Sequence, residues 1–326
     1  MTTPTTMEFP AHLPASKKGD HWYARSGERT LRLSNLDKIY WPEEGFTKAD
    51  LLTYYFNISP VILPHLRGRP LTLKRMPNGV GGSFFYEKNA PAHTPEWMPR
   101  IPVPSGKKVI SYLAVDDVAD ILYVANLGCI EFHPLHGRGR DQTEPSYAFF
   151  DLDPFEPAGW EEVSHVASLI RVVLDGLSVS AYPKTSGATG MQIMVPLTEG
   201  HTYAEVRRFI ASVAGLVHAA DPETTTMEWE IEKRSGKVFL DVNMNREGAN
   251  IAAAYSVRPV PGGTVSTPFN WDEIGEVRPE LFTMATIFGR IAAVNDPFLP
   301  VAKGPGQALA PALEQLEAQG AGGRTT

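Results

Sequence analysis

AFFDLDP, residues 148–154, is the stretch on which the reading of this chain turns. An aromatic, apolar run ends in two carboxylates separated by Leu152, and Pro154 stops the pattern. Side chains two apart on a strand point to the same face, so Asp151 and Asp153 project together while Leu152 faces the core. Two adjacent carboxylates repel unless something cationic neutralises them. Mg2+ or Mn2+ with oxygen ligands is the usual solution. A second apolar run, KVFLDVN, also carries a carboxylate at its end, Asp241. Three carboxylates from two strands can hold two metal ions, a pair that activates a hydroxyl and steadies a leaving pyrophosphate in in-line phosphoryl transfer. A bare Asp-x-Asp can equally be a solvated strand end.

Outward from this stretch, strands and helices mix without strict alternation. TLRL, the pair RPLTLKRMPNG and SFFYEKN around a Pro-Asn-Gly turn, KKVISYLAV and CIEFHPLH read as strands. So do PSYAFFDLD, SVSAYPKTSG with MQIMVPL, GKVFLDVNMN and NIAAAYSVR. TKADLLTYYFNISPVILPHL reads as a helix with Thr47 as N-cap and Asp50 in capping-box register, kinked or ended at Pro60 and Pro64. DDVADILYVANLG, GWEEVSHVASLIRVVLDGL and TYAEVRRFIASVAGLVHAA are further helices, and RPELFTMATIFGRIAAV opens a helical C-terminal part. This order predicts an α+β fold with mainly antiparallel sheets flanked by helices and the carboxylates at strand ends. Residues 1–30, rich in Pro, Ser, Thr and charge, are expected to form a flexible arm; 31–300 a domain of two lobes; 301–326 a frayed tail.

Composition is that of a globular protein, with 43% hydrophobic and 21% charged residues and a net charge of −7. The cations are clustered, in RGRPLTLKR, GKK, HGRGR and EKRSGK, and nucleic-acid binding depends on where cations sit more than on their sum. The single cysteine, Cys129, builds neither a disulfide framework nor a thiolate zinc site. No secretory signal and no membrane-spanning run is visible, which points to the cytoplasm and to no membrane partner.

KTSGATGMQI, about 30 residues after the carboxylates, is a Ser- and Gly-rich strand-to-strand turn able to aim N–H groups at phosphate oxygens. His133 in IEFHP, Lys237 four residues before Asp241, and Arg258 at the end of AAYSVR can face the same cleft.

These pieces in this order resemble the polymerase domain of bacterial ligase D, the primase-like module of non-homologous end joining in the archaeo-eukaryotic primase superfamily. The likeness runs from about Leu31 to Arg290 and includes LSNLDKIYWPEEGFTKADLLTYY, RPLTLKRMPNG, FFYEK, EFHP, FFDLDP, TSGATG, GKVFLDVNMN and AAYSVR. The resemblance implies a primase-polymerase-like fold and a template-dependent nucleotidyltransferase acting at gaps or broken DNA ends. It implies that Asp151, Asp153 and Asp241 are the metal-binding catalytic residues, with two Mn2+ or Mg2+ ions. Ser186 then contacts phosphate, and His133, Gln192, Lys237 and Arg258 contact the incoming nucleotide. Lys38 and Lys48 grip the 5′-phosphate of a downstream strand, Lys74 lies on the DNA-binding surface, and Phe85 and Tyr86 pack on template bases. Nucleoside triphosphates and 5′-phosphorylated DNA ends are the implied substrates. No Lys-x-Asp-Gly adenylation motif occurs, so the resemblance implies a stand-alone homologue working with Ku and a separate ATP-dependent DNA ligase.

Several positions depart from the family pattern. Gln192 stands where a histidine usually reaches the triphosphate, Thr189 replaces the loop lysine, Ala249 replaces a further lysine, and Met244 replaces a common polar residue. Losing such charge-assisted contacts costs about 1–3 kcal/mol each, so nucleotide binding weaker than in a typical member is expected. Two alternatives stay open on the residues: a catalytically weak or inactive DNA-end binder, and a metal-dependent phosphohydrolase. For the latter, FDLD resembles the nucleophile strand of haloacid-dehalogenase-type phosphatases, although that pattern continues into Gly-Thr near the start of a chain, where this one has Pro154 and about 150 preceding residues.

Overall fold

Local sequence chemistry explains the first elements directly. In the computed structural model, which describes residues 7–320, β1 (Ala15–Lys18), β2 (His21–Ser26) and β3 (Arg29–Leu33) form an antiparallel three-stranded sheet. Gly19 and Gly27 hold φ of +58° in its two short turns, where the sharp reversal requires positive φ. Ala24, Leu31 and Leu33 are its buried face. The loose arm expected over 1–30 is therefore corrected for residues 15–30; residues 1–6 lie outside the described part.

β4 (Ile39–Trp41) and β5 (Phe46–Thr47) form a hairpin leading into α1 (Lys48–Leu66). The capping box is formed: Thr47 N–H donates to Asp50 at 2.7 Å, and Asp50 N–H donates to Thr47 Oγ1 at 3.3 Å. Pro60 and Pro64 lie within the helix without ending it. Pro60 has no N–H for the Phe56 carbonyl, and the Ser59 hydroxyl donates to that carbonyl instead, at 2.8 Å. Next come β6 (Leu71–Arg75), β7 (Phe85–Glu87), β8 (Arg100–Ser105), β9 (Lys108–Leu113), α2 (Val118–Asn126) and β10 (Cys129–Pro134). The five strands form one antiparallel sheet of order β10-β6-β9-β8, with β7 also on β6.

A second five-stranded sheet carries the AFFDLDP stretch. It comprises β11 (Tyr147–Pro154), β12 (Tyr182–Thr185), β13 (Met191–Pro196), β14 (Thr225–Thr226) and β15 (Val238–Leu240), in the order β12-β13-β11-β15-β14. Every pairing is antiparallel except β14 with β15. α3 (Trp160–Gly176) and α4 (Tyr203–Ala220) lie against β11, with Phe150 against Phe209 at 6.4 Å between ring centroids. α5 (Ile287–Val294), α6 (Leu299–Lys303) and α7 (Ala310–Ala318) complete the chain. α7 corrects the frayed tail, because Leu309, Leu313 and Leu316 recur at helical spacing and are buried. Residues 321–326 lie outside the described part.

The chain divides into two compact units. One takes the chain up to Leu135 with Ile251–Ser266 and Glu280–Asp296; the other takes His136–Asn250, Thr267–Pro279 and the chain from Pro297 on. The strand expected over NIAAAYSVR is not formed: Val257 makes only an isolated bridge to Val265, and Tyr255 sits at φ +66°. Its hydroxyl donates to Asp296 Oδ1 at 2.7 Å, and His65 meets the other oxygen of that carboxylate at 2.9 Å, so side chains fix this segment in place of a ladder.

At the edge of β11, one side chain does the work of a strand. Asn245, almost fully buried, accepts from Phe149 N–H at 3.0 Å and donates to Phe149 O at 2.7 Å. Asn245→Ala leaves both backbone groups without that partner. At about 1–3 kcal/mol for each buried unsatisfied group, the expected destabilisation is roughly 2–5 kcal/mol, read by urea denaturation; a loss under about 0.5 kcal/mol contradicts this role.

Candidate active site

The register of the second sheet lays four polar side chains in a row. Lys184 of β12 lies opposite Gln192 of β13, and Gln192 opposite Asp151 of β11. On the far side of β11, Asp241 N–H donates to Asp151 O at 3.1 Å, so Asp241 stands beside Asp151, one residue past the end of β15. Opposed residues on neighbouring strands share a face. Asp153, two residues along β11 and opposite Phe239, shares it too. Leu152 points the other way and is fully buried. The register therefore puts Asp151, Asp153 and Asp241 on one face, from segments 90 residues apart.

The electrostatics of the row are unfavourable to charge. Asp151 is only 8% exposed. Burial, with Asp153 and Asp241 adding repulsion, pushes its carboxyl up to about 8, against partial relief from Gln192 and Lys184. Burial also raises Asp241, with Asn243 N–H and the Arg234 charge opposing. Asp241 caps the short 3-10 turn Val242–Met244, accepting from Asn243 N–H at 2.9 Å. Among the described residues, no three Asp, Glu, His or Cys side chains stand close enough to cage an ion as they are.

Gln192 is placed differently from the triphosphate contact that the sequence suggests. It is buried, donates from Nε2 to Asp151 Oδ1 at 2.8 Å, and accepts from Lys184 Nζ at 2.8 Å. The loop beside it is closed by Ser186: its Oγ accepts from Ala188 N–H at 3.1 Å and Gly190 N–H at 3.0 Å, and its own N–H donates to Gly190 O at 2.8 Å. Two of the N–H groups expected to face phosphate thus turn inward. Gly190 packs so tightly on β11 that a Cβ there would lie 2.3 Å from Leu152 O and 3.2 Å from an Asp153 carboxylate oxygen. Lys237 donates to Pro222 O at 2.6 Å.

The first unit gathers a second polar group. Glu131, absent from the expected site, accepts from Arg258 Nε at 3.0 Å and Lys74 Nζ at 3.2 Å, and holds His133 Nε2 at 2.6 Å. Burial opposes its charge, but His133, Arg258 and Lys74 prevail and hold the carboxyl down to about 2. Burial lowers His133, and Arg258 and Lys74 add to this against the raising effect of Glu131. A neutral imidazole beside an ionised carboxylate must donate from Nε2, which leaves Nδ1 as an acceptor. Three residues expected separately as nucleotide or DNA contacts, Lys74, His133 and Arg258, are therefore one cluster.

Phe85 and Tyr86, expected as a single aromatic platform, point to opposite faces of β7 because neighbours on a strand alternate. Phe85 lies under Arg75, whose guanidinium is 5.2 Å from the ring centroid. Tyr86 lies edge-on to His133 at 6.0 Å, joined by Phe84 at 5.9 Å, with Lys74 5.0 Å over Phe84. Phe84 and Tyr86 are about half exposed, so they form the aromatic pair next to the Glu131 cluster.

The expected lysine clamp also separates. Lys38 is half-buried, with its ammonium on Asn78 Oδ1 at 2.6 Å. Lys48 is sealed at 3% exposure, its ammonium surrounded by Ser34 O, Ser34 Oγ, Asn126 O and Asn126 Oδ1 at 2.6–3.2 Å. Burial, with Lys38 and Arg75 nearby, brings it down to about 8. Lys48 is a strut between α1, the β3 exit and the α2 end rather than a surface cation. In the second unit, Arg234 is a further residue that the sequence hid among surface charges. Its guanidinium stacks 3.5 Å from the Phe239 ring centroid, with Phe155 and Trp229 at 5.1 and 5.6 Å, and its charge acts on Asp241.

Comparison with known proteins places the chain among characterised sequences and structures. The family profile for the LigD primase-polymerase domain matches residues 47–298. The multifunctional non-homologous end joining protein LigD of Mycolicibacterium smegmatis is 34% identical over 262 residues, covering 80% of this chain and 34% of that protein. The bifunctional non-homologous end joining protein LigD of Bacillus subtilis is 31% identical over 290 residues, covering 88% of this chain and 47% of that protein. The chain thus spans about a third to a half of the length of these relatives. The solved polymerase domain of Mycobacterium tuberculosis ligase D, in complex with DNA, superimposes with a TM-score of 0.79 at 29% identity, covering 83% of this chain and 98% of that one.

Asp151 holds its proton more tightly in the folded than in the unfolded chain, about 8 against the ordinary 3.8. Its contribution to the stability of the metal-free protein is therefore complete below about pH 4 and is lost as pH rises through about 8. Thermal melts in EDTA should show stability falling across this window relative to Asp151→Asn, and Mn2+ should recover the loss. Parallel melting profiles for the two proteins contradict this environment for Asp151.

Proposed function

The chain belongs to the LigD primase-polymerase domain family, and from that premise we propose that it adds nucleotides, template-directed, at gaps or broken ends of DNA. The observation that carries the reading is the adjacency of Asp151, Asp153 and Asp241 on one face of the β11–β15 junction. Their donor set fits hard divalent cations: all ligands are oxygens, and a cation would offset both the burial and the repulsion that raise Asp151. Asp151, Asp153 and Asp241 would hold two ions, Mg2+ or Mn2+, once Asp241 turns from the Asn243 N–H. Bound there, the ions supply Lewis acidity to the primer 3′-hydroxyl and to the β/γ-phosphates.

The chain's own residues do the rest. Gly190 lets the 184–191 loop approach β11 closely, and Ser186 fixes its shape. In the first unit, Arg258 supplies a cation and His133 offers Nδ1 to a bound nucleotide. Glu131 keeps Lys74, His133 and Arg258 in fixed positions, so little ordering remains to be done on binding. Tyr86 and Phe84 offer faces on which bases stack without sequence preference. Lys38 is the better placed of the two lysines for a 5′-phosphate. A 5′-phosphorylated end, nucleoside triphosphates, Ku and a separate ligase complete the proposed setting. No helix among the described residues is long and apolar enough to cross a membrane.

A non-catalytic end-binding role is a second reading, favoured by the engagement of Gln192 inside the sheet and by the sealed ammonium of Lys48. Extension assays on a gapped, 5′-phosphorylated duplex separate the two. Asp151→Ala should lower extension roughly a thousandfold, given the several kcal/mol that metal-assisted charge stabilisation supplies, while duplex affinity stays within about threefold. Unchanged end-joining and no extension by the parent chain favour the second reading. Pyrophosphate, not phosphate from a small phosphoester, is the expected product.

Tyr86→Ala and Phe84→Ala should each weaken single-stranded DNA binding by about 1–3 kcal/mol, measured by fluorescence anisotropy. Phe85→Ala, on the opposite face, should have a smaller effect. Equal losses at Phe85 and Tyr86 contradict the split platform.

A further inference from the structure

We propose that Lys184 and Gln192 form a positioning pair that fixes the Asp151 carboxylate before any ion arrives, so that Gln192 serves the carboxylate site and not the triphosphate. The proposal rests on the nucleotidyl-transfer reading and deepens it. Three adjacent antiparallel strands put Lys184, Gln192 and Asp151 in one row on one face. The two bonds of the row are each 2.8 Å.

The chemistry of the row allows one orientation. An ammonium only donates, and a carboxyl oxygen can accept. A side-chain amide offers an acceptor to the first and a donor to the second, so Oε1 must face Lys184 and Nε2 must face Asp151. Were the amide reversed, its NH2 would face the Lys184 ammonium, donor against donor. The lysine is itself placed with little freedom. It is 0% exposed. Its backbone pairs with Gln192 on one side and bridges Pro268 on the other, while Thr185 N–H donates to Thr267 O at 2.9 Å and Phe269 N–H donates to Pro183 O at 3.1 Å. A lysine is rarely buried to this degree without a structural or functional partner. Here its donor sets the polarity of the amide, and the amide sets the rotation of the carboxylate.

The consequence for Asp151 is a fixed Oδ1 and an Oδ2 whose direction follows from it. Metal ligands held by outer hydrogen bonds lose about 10–100-fold in metal affinity or activity when the outer partner is removed. Two routes to that loss exist in this row, and they share one endpoint.

The test uses the full chain, with Lys184→Met, Gln192→Met and the double variant. Methionine keeps an unbranched, buriable side chain of similar length at either position. Mn2+ affinity is read on the nucleotide-free protein from the electron paramagnetic resonance signal of unbound Mn2+, and extension kinetics are read on a gapped duplex. Each single variant should weaken Mn2+ binding and lower kcat by about tenfold or more, with the nucleotide KM near that of the parent. The double variant should lose no more than either single one, because both break the same chain of contacts. A raised nucleotide KM with unchanged Mn2+ affinity in Gln192→Met overturns the proposal in favour of a triphosphate contact. So do losses from the two single variants that multiply in the double. Should Lys184→Met fail to fold by circular dichroism, Gln192→Met decides alone on the same two readouts. A parent chain that binds Mn2+ but extends nothing sinks the nucleotidyl-transfer reading, while the Mn2+ titrations still decide the positioning pair.

Discussion

Three carboxylates placed side by side at the end of two neighbouring strands are the constraint around which the second unit is organised. Strand alternation makes the arrangement unavoidable: a residue opposite Asp151 and a residue two positions along from it must share its face. Mutual repulsion and burial make it costly for the apo protein, which is why Asp151 is pushed up to about 8. Such a cluster is what a cation-dependent phosphoryl-transfer site requires and what a purely structural strand end avoids. The surrounding features answer the same constraint. Gly190 permits a backbone approach that any Cβ would block, Asn245 replaces the strand that β11 lacks beyond its short pairing with β15, and the helices cover only the apolar face, as Phe150 against Phe209 shows.

The first unit solves the opposite problem. Lys74 and Arg258 would repel one another, and the buried Glu131 carboxylate holds both, together with the His133 imidazole. Removing Glu131 would leave like charges facing each other in a half-buried setting, so its role is to make a cationic surface rigid and not to neutralise it away. With Phe84 and Tyr86 alongside, the first unit combines fixed cations with exposed ring faces. That combination suits a nucleotide or single strand, whose phosphates seek charge and whose bases stack.

Much of this was legible in the sequence, and the parts that were not share a cause. AFFDLDP and KVFLDVN announce the carboxylates because period-two patterning needs no long-range information. Thr47 with Asp50 gives the start of α1 for the same reason. Beyond TLRL, the sheet over 15–33 was not legible, because polar strands such as ASKK, residues 15–18, show too little alternation to be told from a loose arm. Pro60 and Pro64 suggested a break, yet the helix runs through both, and at Pro60 the Ser59 hydroxyl takes up the freed Phe56 carbonyl, a local hydrogen bond that composition does not reveal. Glu131 lay in plain view two residues before His133, and strand parity alone puts the pair on one face. Its two cationic partners, Lys74 of β6 and Arg258, are distant in sequence and could be joined to it only by the fold. Gln192 and Lys48 were read by analogy of position as ligand contacts, whereas their polar ends are taken by the protein's own oxygens and nitrogens. Partnership across strands decides such residues, and no single segment contains it.

The most direct measurement is a crystal soaked with Mn2+ and an incoming nucleotide, with the ions located by anomalous scattering. The expected result is two peaks about 3.5–4 Å apart, both within ligand distance of Asp151 and Asp153 and one also reached by Asp241. Absence of manganese from this carboxylate group in a nucleotide-bound crystal, or ions bound only elsewhere on the chain, contradicts the central claim that the three aspartates are the seat of nucleotidyl transfer.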